Sequence, residues 1–449
     1  MKSSYAELSS PRGSAALLML VAGLLAVRPA QALQPLSVFV AGAKTASTDQ
    51  RVAGLTAVQA DADALTALGR TLPAASARLV YTHNQFESKI DPSQFTSGLP
   101  VPAGATKPLV LQPFNQLDAY FQIDAPLIDV AGWTRTSAAR ANARAALLLA
   151  QGTTLDVEKQ IAAKYYQLIG AEALGRAGAK TLAAAEQNLT FTRARQADGV
   201  ATPLDVDRAV AQVERARASI SDAELSAGLA RLSLRTLSGV EPVGAAPTAT
   251  DDLHEEPPLA SFDPGGSRPT PAVSAAAEQR QAADSSALAA KLALVPTLSA
   301  SAQEHVTNAS GLTGRDSVWL LMATANWKLD VTTFGTMRSQ AAASAIARTR
   351  EQATRQRAKD QIHESWLRVH NGIAKSRSAR AEADASDAAV ERARDRYHEG
   401  AGTELELILA ERDAFSATVS RIQSDADLAF ARTSLRLDAG QPLSEETRR

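Results

Sequence analysis

The chain has 449 residues with 47 basic and 48 acidic side chains, and a formal charge of −1 leaves no polybasic footprint for nucleic acid. It contains no cysteine, which excludes disulfides, thiol catalysis and zinc–thiolate sites. Aromatics make up only 4% of the chain against 45% hydrophobic residues, a balance suited to long, closely packed helices rather than a large aromatic core.

The N-terminus reads as a secretory signal. Lys2 and Arg12 precede the apolar run Ala15–Val27, and Ala30-Gln31-Ala32 supplies an A-x-A cleavage site. That run is too short to span as a helix, and no later stretch reaches about 18 apolar residues. Residues 1–32 are expected to be removed, leaving a mature chain with neither a transmembrane helix nor a cysteine for a lipid anchor.

Gln50–Thr71 reads as a helix stopped at Leu72-Pro73, Ala77–Phe86 as a weak strand, and Glu87–Gln116 as a loop rich in Pro, Gly and Ser. Leu117–Ala125 alternates cleanly, with Leu117, Ala119, Phe121, Ile123 and Ala125 on one face and Asp118, Tyr120, Gln122 and Asp124 on the other. Trp133–Asp198 is proline-free and helical. Pro203–Ser238 is a second helix, with Val206, Val213, Ile220, Ala227 and Leu234 at heptad spacing. Ala209, Ala216, Ala223, Ala230 and Leu237 follow three residues on, a seam whose alanines let helices approach closely. A Pro-rich connector follows. The pattern then repeats: a helix from Ala272 to Val295-Pro296, a weak strand Thr297–His305, a loop Val306–Asp316, a strand Val318–Leu329, a long helix Arg338–Glu399 and a return helix Glu404–Ala439.

The repetition is literal at two places. RQADGVATPLDV (Arg195–Val206) and RYHEGAGTELEL (Arg396–Leu407) share one punctuation, and Arg195, Gly199, Thr202 and Leu204 each recur 201 residues later. Asp129-Val130, Ser233, Leu234 and Gly239 keep the same offset, which means an internal duplication. The expected organisation is a signal peptide (1–32), a first structural repeat (33–240), a connector (241–271) and a second repeat (272–449). Each shared stretch reads as a hairpin tip. Gly199 and Gly400 suit the left-handed position that ends a helix, and Thr202 and Thr403 suit the N-cap of the next. Asp205 and Glu406 complete capping boxes, and Pro203 fits the first helical position. An ordinary helical-hairpin loop accounts for all of these residues.

In the strand Val318–Leu329, Trp319, Leu321, Ala323, Ala325, Trp327 and Leu329 share one face. The two tryptophans stand about 27 Å apart along a strand, near the height of the apolar band on an outer-membrane barrel. A soluble sheet with two core tryptophans is the plainer reading of one such strand alone. The signal peptide, the second alternating strand and the absence of a transmembrane helix favour the membrane.

In this order the tips, the junctions PLIDVAG (Pro126–Gly132) and KLDVTTFG (Lys328–Gly335), and the runs Leu234–Gly239 and Leu435–Gly440 resemble the TolC family of outer-membrane efflux channels across essentially the whole mature chain. The resemblance implies a mainly α fold with a membrane β-barrel. Each protomer of a homotrimer would add four strands to one twelve-stranded barrel, and duplicated coiled-coil hairpins would form a periplasmic tunnel. It also implies an exit duct in the outer membrane of a Gram-negative bacterium, docked to a periplasmic adaptor and an inner-membrane pump in efflux or type I secretion. Arg195, Gly199, Thr202, Asp205, Arg396, Gly400, Thr403 and Glu406 would form the docking and gating tips, and Trp319 and Trp327 the membrane girdle. Glu87–Gln116 and Val306–Asp316 would be the extracellular loops. One departure is that the helix after the second tip offers Glu406 and then Leu409, so a second acidic ring is absent.

No catalytic, cofactor or metal constellation stands out. His83, His254, His305, His363, His370 and His398 show no metal-binding spacing, His363 and His370 reading as solvated, and Gly265-Gly266 lies in the connector without a strand-to-helix phosphate loop. The alternative to a channel is a periplasmic coiled-coil adaptor, which usually has one hairpin flanked by small β-rich domains.

Overall fold

The computed structural model describes residues 32–91, 108–262, 269–311 and 314–443. The signal-peptide run through residue 31, the central part of the Glu87–Gln116 loop (92–107), Gly265-Gly266 and two residues of the Val306–Asp316 loop lie outside the described residues.

The fold is mainly helical, and each half of the chain builds the same series. In the first half, α2 (Thr48–Gly69), β1 (Ala74–His83), β4 (Asn115–Ile128), α3 (Val130–Ala197) and α4 (Pro203–Ser238) follow one another. The second half runs α5 (Pro271–Leu292), β5 (Thr297–Thr307), β6 (Ser317–Asn326), α6 (Val331–His398) and α7 (Glu404–Asp438). The long helices α3 and α6 each have 68 residues, roughly 100 Å at 1.5 Å per residue. Among the described residues no helix is long and apolar enough to cross a membrane.

Both long helices begin several residues before the expected positions because an aspartate caps each of them. Asp129 Oδ1 accepts from the Gly132 amide at 2.7 Å, and Asp330 Oδ1 accepts from the Thr333 amide at 2.7 Å. These caps satisfy amides that the first turn leaves orphaned. In the second half the cap also shortens the preceding strand. β6 ends at Asn326, so Trp327 and Leu329 lie beyond it rather than within it.

Short elements also form where none was expected. α1 (Leu36–Ala46) buries Phe39, which is 0% exposed, and has no α-helical counterpart among the described residues of the second half. The Glu87–Gln116 segment, expected to be loop throughout, carries the short paired strands β2 (Ser88–Ile90) and β3 (Leu109–Gln112).

β1, β4, β5 and β6 form one antiparallel sheet in that order, leaving β1 and β6 as open edges. α3 packs on α2 and α5 toward the sheet and on α4 and α7 toward the tips, while α6 packs on α5 and α7. α4 and α5 together thus line one long helix, as their summed length suggests. None of the ten heptad positions on α4 is exposed, and Ala209, Val213, Ala216, Ala223, Ala230 and Leu234 are buried. Larger side chains concentrate at two belts. One joins Phe39, Ile161, Leu168 and Leu234, and the other joins Ile362, Val369, Leu428 and Leu435.

The connector after α4 is tied across these belts by two arginines 201 residues apart. Arg231 ion-pairs with Glu172 and donates to the carbonyls of Pro242 and Gly244, both at 3.0 Å. Arg432 is 8% exposed in its side chain; it bonds Asp251 at 2.8 Å, Glu256 at 2.5 Å and the His254 carbonyl at 2.6 Å. Leu253, within this loop, is the one non-glycine residue with positive φ (58°) among those described, and it packs against the second belt. Asp438 ties the helices themselves. It accepts from Lys159 of α3, Gln361 and Ser365 of α6, and Ser434 of α7.

Truncating Arg432 leaves two poorly exposed carboxylates without their cation. Arg432→Ala is expected to cost about 3–5 kcal/mol. Arg217→Ala, which breaks an exposed pair with Glu186, is expected to cost under about 1 kcal/mol. Denaturant midpoints of the two variants check the difference.

Candidate functional site

Each hairpin tip is built by the same backbone bonds. Gly199 and Gly400 both have φ of 74°. The Gly199 amide donates to Gln196 O at 3.0 Å and the Val200 amide to Arg195 O at 2.8 Å. At the second tip Gly400 donates to Tyr397 O at 3.2 Å and Ala401 to Arg396 O at 2.9 Å. This is the Schellman pattern, in which the amides of the left-handed residue and of the one after it fold back onto the last turn. Glycine takes that conformation at little cost. A Cβ added at either glycine meets nothing within 4 Å, so the requirement is conformational rather than steric.

The caps differ between the tips. At the first, Thr202 Oγ1 accepts from the Asp205 amide and Asp205 accepts from the Thr202 amide at 2.9 Å, completing the expected box. The Thr202 amide and the Thr202 hydroxyl, which donates to Asp205 Oδ2 at 2.7 Å, hold the Asp205 carboxyl below the usual carboxylate range, with Arg208 adding a smaller pull. At the second, Thr403 Oγ1 accepts from the Glu406 amide at 3.2 Å, but the Glu406 carboxylate turns to Arg396 at 3.7 Å instead of back to the cap. Only half of the second box forms.

The arginines also part ways. Arg396 reaches Glu406 and the Ala401 carbonyl. Arg195 does not pair with Asp205 but lies over the Tyr397 ring at 4.8 Å and the Phe191 ring at 5.7 Å. Phe191 packs edge-on against Tyr397 and His398, and Tyr397 is buried. Thr192 Oγ1 donates to Glu404 Oε1 at 3.3 Å, both residues being buried. Phe191, Thr192, Arg195, Tyr397 and Glu404 therefore fasten one hairpin to the other.

Sequence reasoning missed four of those five residues because it compared the repeats for what they share. The positions 201 residues from Phe191, Thr192, Tyr397 and Glu404 hold Arg392, Ala393, Gln196 and Pro203. The fastening lies in the differences between the repeats, and its sequence signal was two of the chain's scarce aromatics just ahead of the turns.

Glu404 is the weak point of this contact. It is 6% exposed, its Oε2 has no partner among the described residues, and burial raises its pKa, with Asp205 adding a smaller push.

The sheet presents two chemically distinct faces. Cross-strand register aligns Ala77 with Phe121, Leu79 with Ala119, Ile123 with Ala302 and Ala302 with Leu321, all on the face that also holds Trp319. Trp319, Leu321, Phe121, Ile123, Leu79 and Tyr81 are exposed there. One acid interrupts the face. Glu304 stands opposite Trp319, and its carboxylate accepts from the Ser317 hydroxyl. Trp327, past the strand end, is exposed and its indole donates to the Leu294 carbonyl at 2.9 Å.

Glu404 titrates with a defined sign. Its folded-state pKa is raised above the ordinary 4.5, so the folded chain binds this proton more tightly than the unfolded chain. The associated stability is fully present below the unfolded value and is lost as pH rises through the folded one. Glu404→Gln is therefore expected to raise the denaturation midpoint at pH 7, and that gain should disappear in titrations carried below the ordinary carboxylate value.

Residues 112–240, the second strand through the first hairpin, match the family model described as outer membrane efflux protein. No curated protein matches the chain in sequence. Solved structures match it in fold. A membrane protein from Pseudomonas aeruginosa is 19% identical with a TM-score of 0.77, over 90% of this chain and 93% of that one. The outer-membrane channel OprN is 20% identical at 0.76, over 91% and 90%. The CmeC outer membrane channel of Campylobacter jejuni is 14% identical at 0.76, over 99% and 97%. The likeness read from the tips and junctions is thus borne out: residues 112–240 carry the sequence pattern of outer membrane efflux proteins, and the chain as a whole has the fold of solved outer-membrane channels.

Proposed function

We propose that this chain is the protomer of an outer-membrane channel, a passive exit duct docked to a periplasmic adaptor and an inner-membrane pump. The observation that carries this reading is the open four-stranded sheet with one apolar face. Backbone donors at a sheet edge have no partners in lipid, so only a closed barrel can stand there. The smallest closed barrels have about eight strands, which one chain with four cannot supply. Three copies would join β6 of one protomer to β1 of the next and close a ring of twelve strands. The apolar face would then meet lipid, with Trp319 and Trp327 at the two interfaces.

The helices would form the periplasmic tunnel. Its six tips, two per protomer, would offer nearly the same backbone surface to an adaptor hairpin and close the tunnel between transport events. Passage through such a duct needs no catalytic or cofactor chemistry, in keeping with reading the protein as not an enzyme. The adaptor alternative has less support, since the described residues hold two hairpins and no small β-rich domain beside them.

Fractionation and crosslinking test the assembly. The protein is expected in the outer membrane, and crosslinking in detergent is expected to stop at three chains. A monomer soluble without detergent would sink the proposal. An epitope tag in the β5–β6 turn is expected to be reachable on intact cells, and reachability only after permeabilisation would reverse the topology.

The tips have their own test. Replacing Arg396 and Glu406 together by Ala is expected to raise single-channel conductance in a planar bilayer. Such an exposed pair contributes only about 0–1 kcal/mol, but it is repeated around the ring and screened by salt. If the variant only melts earlier at unchanged conductance, these residues cap helices and the closure lies elsewhere.

A further inference from the structure

The polar face of the sheet holds a continuous stack across three strands. Arg78 on β1 stands opposite Tyr120 on β4, which stands opposite His305 on β5. The Arg78 guanidinium lies over the Tyr120 ring at 5.2 Å, and the Tyr120 and His305 rings are parallel within 5° at 4.3 Å. The row ends on Val318 of β6, directly across from His305.

The charges in this row are unequally engaged. Asp118 is buried, accepting from His305 Nε2 at 2.9 Å, from Gln116 Nε2 at 2.9 Å and from the Thr307 hydroxyl. Arg78 is exposed, and among the described residues its guanidinium makes no hydrogen bond or ion pair. An arginine presents five donors in a planar fork. Here that fork is held by an aromatic face and directed at no acceptor. The other acid on this face, Asp124, is four residues from Tyr120 along β4, about 13 Å. That exceeds the screening length of about 8 Å at physiological ionic strength. The remaining positions in the two neighbouring rows, Ser76 and Val80 on β1, Gln122 on β4, Gln303 and Thr307 on β5 and Leu320 on β6, are uncharged.

We propose that Arg78, Tyr120 and His305 form a binding shelf inside the channel for planar aromatic anions. The fork would take the anionic group, and the half-buried edge of the Tyr120–His305 stack would extend along the solute's ring. Three protomers would repeat the shelf around the lumen, so that aromatic anions pause there during passage. This inference rests on the barrel reading above, which sets the polar face toward the lumen.

The test uses the full-length protein in planar bilayers with 1-naphthalenesulfonate as probe and methanesulfonate as a control of equal charge without a ring. Naphthalenesulfonate is expected to cause concentration-dependent transient blocks, with methanesulfonate at least about tenfold weaker, the size of one oriented aromatic and cation contact. Arg78→Gln and Tyr120→Ala are each expected to weaken the naphthalenesulfonate block about tenfold, and channels that insert and still open in chloride certify assembly. Arg78→Lys, which keeps the charge but loses the fork, is expected to fall between. Equal block by the two sulfonates, or block indifferent to Arg78, would overturn the shelf while leaving the channel intact. A preparation that inserts in lipid but never conducts would overturn the channel and the shelf together.

Discussion

A helix of 68 residues extends about 100 Å beyond its last strand. Nothing at either end can hold so long a rod straight, since helical stability in water comes chiefly from burying a face along the length. The chain meets this constraint with alanine. Small residues at Ala209, Ala216, Ala223 and Ala230 bring α4 close to α3 over most of its course. Close approach turns many weak dispersion contacts into a rigid pair without bulky side chains. The low aromatic content follows from that solution, because rings of any number would hold the helices apart.

Alanine seams set distance well and axial position poorly, since one small residue fits much like the next. Axial position is set instead where large or charged groups meet. Phe39 seats α1 against α3 and α4, while Leu428 and Val369 join α6 to α7. Asp438 gathers groups from three helices. The connector is pinned by Arg231 and Arg432, the same repeat position used twice for neighbouring stretches of one strap. These arginine clusters are costly to desolvate and depend on complete pairing. Their worth lies in fixing one arrangement among several that the alanine seams would tolerate.

The two ends of the rods solve opposite problems. At the sheet end, aspartate caps turn strands into helices abruptly, so an apolar face gives way to a solvated helix within a few residues. At the tip end, two glycines with equal φ reverse the chain in the least space. There the hairpins are joined by the Arg195–Tyr397–Phe191 cluster and by a buried carboxylate lacking one partner. An incompletely satisfied acid is a poor fastener.

What the sequence determined by itself was much of what near neighbours govern, though not the Asp129 and Asp330 caps or the half-formed box at Glu406. The helix ends at Gly199 and Gly400, the caps at Thr202 and Thr403, and the alternation of Leu117–Ala125 all rest on chemistry within a few residues. The duplication was equally legible, because a fixed offset of 201 needs no structure to be seen. Tertiary structure alone decided how the repeats differ. Glu404 reads as a first-turn acid until Thr192, 212 residues away, is found beside it. Arg432 reads as a surface charge on a helix until Asp251 and Glu256 close over it. Arg78, Tyr120 and His305 have no local relationship, and only strand register sets them in one row. The physical reason is common to all three. A side chain's role there depends on which distant groups share its volume, and periodicity along the chain does not encode that.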